Sequence, residues 1–115
     1  MNDACIFCKI VRKEVPADEE FRDPDVVAFR DRNPQAPHHL LVVPTRHASH
    51  LSEFIGQGRP EIAARLLGVA ADLGTRYGGS EGYRIVTNEG PNAGQTVFHL
   101  HFHVLAGRRF AWPPG

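Results

Sequence analysis

Three histidines, His99, His101 and His103, alternate with apolar residues near the end of this chain. Successive side chains of a β-strand point to opposite faces, so the pattern predicts a half-buried strand over residues 97–105 with the three imidazoles on one face. Neighbouring rings would lie roughly 6.5–7 Å apart, which is twice the rise per residue. Imidazole titrates near neutral pH and has two distinct nitrogens, so these rings could bind a metal ion or attack a phosphate.

Three of the chain's seven histidines share this one predicted face, which makes mere tolerance of histidine on a solvated sheet a poor explanation. A purification tag is also disfavoured, because tags run consecutively and these histidines alternate within a strand pattern. A metal site and a phosphate site therefore remain as alternatives.

A loop rich in hydrogen-bond donors, residues 87–96, precedes the predicted strand. It contains two Gly, one Pro, two Asn and two Thr, a composition typical of loops. Glycine permits close approach of the backbone, and successive N–H groups can cradle an anion. Asn88, Gln95 and Thr96 add neutral side chains beside the histidines. The loop alone would be an ordinary hairpin connection, but together with the histidines it favours a phosphate pocket.

Two cysteines, Cys5 and Cys8, are separated by two residues near the start of the chain. Two cysteines are too few for a disulfide framework. A redox pair usually accompanies a thioredoxin-like βαβ pattern, which the sequence lacks. Half of a zinc site is the other functional interpretation, and it requires two further ligands, typically histidines. Two free thiols remain the simplest alternative.

Further strands and one long helix are predicted around these residues. Alternation and β-forming residues predict strands over residues 20–22, 26–29, 39–44 and 82–87. The continuous apolar run of the third predicts burial on both faces, and the last is expected to pair antiparallel with the histidine strand. A helical turn or two is expected around Phe7 and Ile10, and another over residues 49–54.

An apolar stripe at helical spacing runs from Pro60 to Tyr77 and predicts an amphipathic helix that covers one face of the sheet. Pro60 suits the first turn, and the glycine pair that follows Tyr77 supplies a stop. The polar face lacks a basic cluster, so a membrane-surface role is disfavoured. The expected fold is α+β, an antiparallel sheet of about five strands with one main helix.

The charge balance excludes several classes of protein. Thirteen basic residues equal thirteen acidic ones, so nothing suggests a general nucleic-acid binder. No apolar run approaches the roughly 20 residues of a membrane span. The N-terminus lacks a secretory pattern, and a cytoplasmic protein is expected. The length fits a single domain over residues 1–115.

Residues 99–105 match the signature His-x-His-x-His-x-x, with x hydrophobic, and so resemble the histidine triad family. Residues 29–44, 88–90, 94–97 and 112–115 are similar to its nucleotide-binding branch, the purine nucleoside phosphoramidases. The resemblance covers essentially the whole chain. It implies a C2 homodimer in which the tail brings Trp112 near the partner's pocket, and a hydrolase that acts on purine nucleoside phosphoramidates.

The resemblance also implies roles for three histidines. His101 would attack the α-phosphate and form a nucleotidyl-histidine that water then cleaves. The predicted strand also favours this residue, because His101 is the one histidine of the three that has a histidine neighbour on each side. His103 would donate a hydrogen bond to the phosphate and protonate the leaving group. His39, at a strand end, would help to orient the others. No metal is needed for this chemistry.

A nucleoside monophosphate such as AMP or GMP is the implied ligand. By resemblance Phe7 would contact adenine, Arg32 would lie beside the base, and the Asp31 carboxylate would accept hydrogen bonds from the ribose hydroxyls. The polar loop side chains would hold phosphate oxygens. The full implied binding set is Phe7, Phe29, Asp31, Arg32, Asn88, Gly94, Gln95, Thr96, His101 and His103.

Some members of the wider superfamily bind a structural zinc ion through Cys-x-x-Cys and two histidines. By that resemblance Cys5, Cys8, His47 and His99 are the expected ligands, and His99 could then not act as a free base.

Three alternatives to a phosphoramidase remain open. A non-catalytic nucleotide-binding or partner-binding protein would share the fold. A metal-dependent hydrolase commonly recruits a carboxylate, but no His-x-His-x-Asp pattern is present. A dinucleoside polyphosphate hydrolase generally has a longer C-terminal region.

The chain departs from its nearest branch at Thr96, where serine is usual, and at Arg30 and Arg32, which add positive charge beside Asp31. His38 is expected to be a surface residue.

Overall fold

An antiparallel sheet of five strands forms the centre of the protein, in a computed structural model that describes residues 4–115. Along the chain the strands are β1 (Glu19–Arg22), β2 (Val26–Arg30), β3 (His38–Pro44), β4 (Tyr83–Val86) and β5 (Phe102–Ala106). Their order across the sheet is β1-β2-β3-β5-β4. The helices are α1 (Ile6–Val11), α2 (Leu51–Gly56) and α3 (Pro60–Gly78), and a 3-10 turn, Gly79–Glu81, follows α3. The predicted α+β architecture is therefore confirmed.

The two faces of the sheet bury different sets of side chains. Along β3, Leu40 and Val42 pack into the larger core beneath α3, whereas Leu41 and Val43 pack into a smaller cluster with α1. Every residue of β3 after His38 is buried, as the continuous apolar run predicts. Residues at the end of β3 can thus reach either side of the sheet according to their position.

Helix α3 begins at Pro60 and ends at Gly78, within one residue of the predicted range. Its buried stripe includes Ile62, Leu66 and Leu73, which lie on the sheet.

Among the described residues, no helix combines the length and the apolar character needed to cross a membrane.

The prediction of a single histidine strand over residues 97–105 is wrong in its extent. Strand β5 begins at Phe102, so only His103 of the three histidines lies in the sheet. The ladder stops there because the preceding segment bonds elsewhere: the Leu100 N–H donates to the Ala48 carbonyl at 2.7 Å. His99 and His101 are only 0% and 8% exposed, so they are buried residues and not members of a half-solvated row.

Two glycines of α3 provide a matched test of its packing. A Cβ at Gly74 would lie 2.4 Å from the Tyr83 ring, whereas a Cβ at Gly68 would meet nothing within 4 Å. Gly74→Ala should therefore lower the free energy of unfolding by about 1–3 kcal/mol, as overpacking does. Gly68→Ala should raise it by about 0.5–1 kcal/mol through helix propensity. Urea unfolding of both variants measures the difference, and equal effects would contradict this packing.

Candidate functional site

A cavity of about 1030 Å³ opens on the sheet face opposite α3. Its walls come from α1, from the connection between β2 and β3, and from the segment that leads into β5. Large apolar residues line one part of it: Ile6, Phe7, Ile10, Phe29, Leu41 and Val97. Polar residues line another: Asp31, His39, Thr96, His101 and His103. A volume of this order accommodates a small organic ligand with an apolar and a polar end.

Three histidines meet at the polar part of the cavity. His39 comes from β3 and His103 from β5, and the Nε2 of His39 lies 2.9 Å from the Nδ1 of His103. The rings of His101 and His103 have centroids 4.9 Å apart, closer than the spacing expected of neighbours on one strand face. His101 can approach because its backbone lies outside the regular strand.

Backbone groups decide which nitrogen of each ring carries the proton. The Gln35 N–H donates to His39 Nδ1 at 3.0 Å, so the proton of neutral His39 is on Nε2. That N–H donates in turn to His103 Nδ1, which leaves His103 with its proton on Nε2. Sequence reasoning missed Gln35, because it contributes a backbone group that no side-chain pattern reveals.

His101 has the opposite tautomer. Its Nδ1–H donates to the His99 carbonyl at 2.7 Å, so Nε2 carries the lone pair. Within the described part of the chain, no group bonds to this Nε2. Adjacent rings in one cavity therefore offer a nucleophilic lone pair on His101 and an N–H donor on His103.

Burial keeps these rings neutral. Burial, together with the neighbouring His101 and His39, lowers the pKa of His103 to about 4, and Asp31 opposes the shift. Burial also lowers the pKa of His101 and of His39. A protonated ring has no free lone pair, so this neutrality is a condition for nucleophilic attack near pH 7.

The other predicted cavity residues are placed as follows. Asp31 accepts a hydrogen bond from the Asn33 N–H at Oδ1, and its Oδ2 lies 3.5 Å from His39 Nε2. The rings of Phe7 and Phe29 meet edge to face with centroids 5.5 Å apart. Arg32 is exposed at the rim, where its Nη2 donates to the Pro16 carbonyl at 3.4 Å.

Three loop residues lie outside the described cavity lining: Asn88, Gly94 and Gln95. The Gln95 side chain is buried and holds the loop together, because its amide donates to the carbonyls of Ser49 and Val97 and its oxygen accepts the Gly90 N–H. These bonds differ from the phosphate contacts predicted for Gln95. An amide that satisfies the backbone of its own loop cannot be distinguished by sequence from one that faces a ligand.

Two further side chains, those of Arg30 and His38, lie against Tyr77 of α3. The Arg30 guanidinium lies over the Tyr77 ring, 5.1 Å from its centroid, while the residue itself also borders the cavity beside Asp31. His38 is half-buried and not a surface residue, because it stacks on Tyr77 with centroids 4.3 Å apart. Strand alternation turns both side chains towards the face of the sheet that α3 covers.

A second group of side chains, which we call the thiol–imidazole cluster, comprises Cys5, Cys8, His47 and His99. The Nδ1 of His99 lies 3.2 Å from Cys5 Sγ, 3.5 Å from Cys8 Sγ and 3.2 Å from His47 Nδ1. Cys8 Sγ lies 3.3 Å from His47 Nδ1. The two cysteines are not bridged.

The cluster fits a tetrahedral zinc site. With sulfur at about 2.3 Å and nitrogen at about 2.0–2.1 Å from zinc, neighbouring donor atoms are separated by roughly 3.3–3.8 Å. The His99 Nε2–H donates to the Pro44 carbonyl at 2.9 Å, which leaves the Nδ1 lone pair for a metal ion. Burial raises the pKa of Cys5, a cost that ligation of the thiolate would offset.

Comparison with known proteins gives one family. The sequence model of one protein family, the HIT domain, matches residues 12–110 of this chain. An uncharacterized HIT-like protein of Synechococcus elongatus is 47% identical over the full length of both chains. A 14 kDa zinc-binding protein of Zea mays is 43% identical over 96% of this chain and 87% of its own. The crystal structure of a HIT family hydrolase from Legionella pneumophila has a TM-score of 0.91 and 42% identity, covering 96% of this chain and 99% of that one.

Purified protein should contain close to one zinc ion per chain, because four donor atoms already converge. Elemental analysis after gel filtration measures the content. Cys8→Ser should lower it several-fold, whereas Ser52→Ala, an exposed control outside the cluster, should not. The site would be contradicted if wild-type protein with a native circular dichroism spectrum still contained no zinc after incubation with zinc.

Acid should destabilise the fold below about pH 6.5. The folded pKa of His103, about 4, is lower than its unfolded value, so the neutral ring contributes stability above about pH 6.5 that is lost as the pH falls towards 4. Urea unfolding between these limits should show the decline, and His103→Gln should make it shallower. Identical slopes for the wild type and the variant would contradict this assignment.

Proposed function

The chain belongs to the histidine triad (HIT) family, and we propose that it hydrolyses purine nucleoside phosphoramidates to a nucleoside monophosphate and an amine. One observation carries the proposal: His101 offers a lone pair at Nε2 while His103 beside it offers an N–H, in the same cavity. The name of the Legionella relative, a HIT family hydrolase, supports the reaction class.

The chemistry follows from the two tautomers. His101 Nε2 attacks the α-phosphorus, the bond from phosphorus to the leaving nitrogen breaks, and a nucleotidyl-histidine forms. His103 Nε2–H donates to the phosphate and passes its proton to the leaving nitrogen, which departs as the neutral amine, and the water that attacks next returns a proton to His103 Nε2. Water then breaks the bond between phosphorus and His101, which regains its lone pair. An amine suits this site because it becomes a good leaving group once it is protonated.

The rest of the cavity supports a nucleoside as the bound group. Phe7, Phe29 and Ile10 offer an apolar surface for a purine base. Asp31 retains its Oδ2 for ribose hydroxyls, because Oδ1 already accepts the Asn33 N–H. Arg32 stands at the rim beside this position.

Zinc at the thiol–imidazole cluster would supply a structural link between α1 and the segments that carry His47 and His99. The proposed reaction takes its nucleophile and its hydrogen-bond donor from the cavity histidines. The unbridged cysteines fit a reducing compartment, and we propose a cytoplasmic location.

We also propose a C2 homodimer built on the C-terminal tail. Arg84 Nη2 donates to the Ala111 carbonyl at 3.0 Å, and the Phe110 ring lies 5.2 Å and 4.3 Å from the guanidinium carbons of Arg84 and Arg108. The tail is thus held, yet its Trp112 is 82% exposed. A large aromatic fixed in solvent is typical of a surface that another chain covers.

His101→Ala should lower turnover of an adenosine phosphoramidate by at least about 1000-fold, because the nucleophile is lost. Its affinity for AMP should stay within a few-fold of wild type, since the base and ribose contacts remain. Turnover assays and calorimetry measure the two quantities. His38→Gln is the matched control, because that histidine lies on the opposite face of the sheet.

Mass spectrometry of wild-type protein quenched during turnover should show an adenylyl group on His101. Near-normal hydrolysis by His101→Ala would rule out this nucleophile. Wild-type protein that binds AMP but releases no amine would instead identify a non-catalytic nucleotide-binding protein.

A further inference from the structure

His99 belongs to both the thiol–imidazole cluster and the cavity. Its Nδ1 lies among Cys5, Cys8 and His47, whereas its carbonyl accepts the Nδ1–H of His101 at 2.7 Å. The carbonyl group that fixes the tautomer of His101 therefore belongs to a residue whose side chain is held by the cluster.

Phe7 makes a second connection between the two sites. It lies between Cys5 and Cys8 in the chain, so the backbone that carries its ring is held on both sides by residues of the cluster. The ring meets His99 edge to face at 5.9 Å and His101 edge to face at 5.2 Å, and it also lines the cavity. Movement of the cysteine segment would displace one wall of the cavity and the ring packed on His101 together.

Helix α1 needs an anchor of this kind. It has only six residues, fewer than a helix needs to be stable by itself in water. Cys5 caps its start by accepting the Cys8 N–H at Sγ, 3.3 Å away. Cys5 and Cys8, which are joined by this bond in the first turn of the helix, are thus half of the cluster.

We propose that the thiol–imidazole cluster positions the nucleophile, so that metal ligation by Cys5, Cys8, His47 and His99 and nucleotide binding in the cavity favour each other. Phe7 and His99 are the positioning residues that connect them. Binding free energies are reciprocal, so the factor by which metal raises nucleotide affinity equals the factor by which nucleotide raises metal affinity. The nucleotide part of this inference rests on the proposed function, whereas the effect on His101 does not.

The first measurement is the tautomer of His101, from ring nitrogen NMR shifts of the full chain with zinc and after removal of zinc by a chelator. We expect the Nδ1–H form with zinc and a mixture of both tautomers without it. AMP affinity by calorimetry in the same two states should fall by about tenfold on zinc removal, within the usual range of coupling between sites. Competition with a chromogenic chelator should show zinc bound more tightly, by the same factor, when AMP is present.

Two variants separate positioning from simple loss of a wall. Phe7→Leu keeps the four ligands and much apolar volume but removes the aromatic edge against His101, and it should shift the tautomer ratio in zinc-loaded protein. Ile10→Ala is the matched control, because Ile10 belongs to the same helix and lines the same cavity but has no aromatic edge to present to His101. It should weaken AMP binding and leave the tautomer of His101 unchanged.

An unchanged His101 tautomer in folded, zinc-free protein would overturn the inference. Where circular dichroism shows that zinc removal unfolds the chain, the Phe7→Leu variant decides, and an unchanged tautomer there overturns it as well. Absence of AMP binding in zinc-loaded wild type would contradict the proposed function, while the NMR result still decides the connection between the sites.

Discussion

One buried hydrogen bond, from His101 Nδ1–H to the His99 carbonyl at 2.7 Å, governs the chemistry of the cavity. A neutral imidazole has one proton for two nitrogens, so satisfying the carbonyl leaves the lone pair on the other side of the ring. Burial reinforces the arrangement because it lowers the pKa of His101 and disfavours the cation. A backbone carbonyl in a buried segment is thus what makes the ring nucleophilic.

The sheet supplies the complementary part. Leu41 pairs with His103, and His39 pairs with Leu105, which places His39 and His103 diagonally on adjacent antiparallel strands. The 2.9 Å contact between their rings follows from this register. A shift of one residue would turn His39 towards α3 and break the relay that begins at the Gln35 N–H. Register and tautomer are therefore linked in this fold.

Much of the fold could be predicted because it depends on local periodicity. The three-and-four spacing of apolar residues located α3 to within one residue, and the apolar run of β3 correctly indicated burial on both faces. The extent of the histidine strand could not be predicted, because alternation indicates a face but not whether a partner strand is present. The partial burial of His38 could not be predicted for a related reason: its partner, Tyr77, is distant in sequence. The convergence of Cys5 with His99, 94 residues apart, required the resemblance to a family.

The larger core beneath α3 and the smaller cluster beside the cavity share no residue among those described. The larger hydrophobic core therefore lies on one side of the sheet, and the cavity opens on the other. Substitutions at Ile6 or Arg32 would alter the lining of the cavity and leave the folding core intact. The sheet separates the two, so the lining of the cavity can diverge during evolution without a matching loss of foldability.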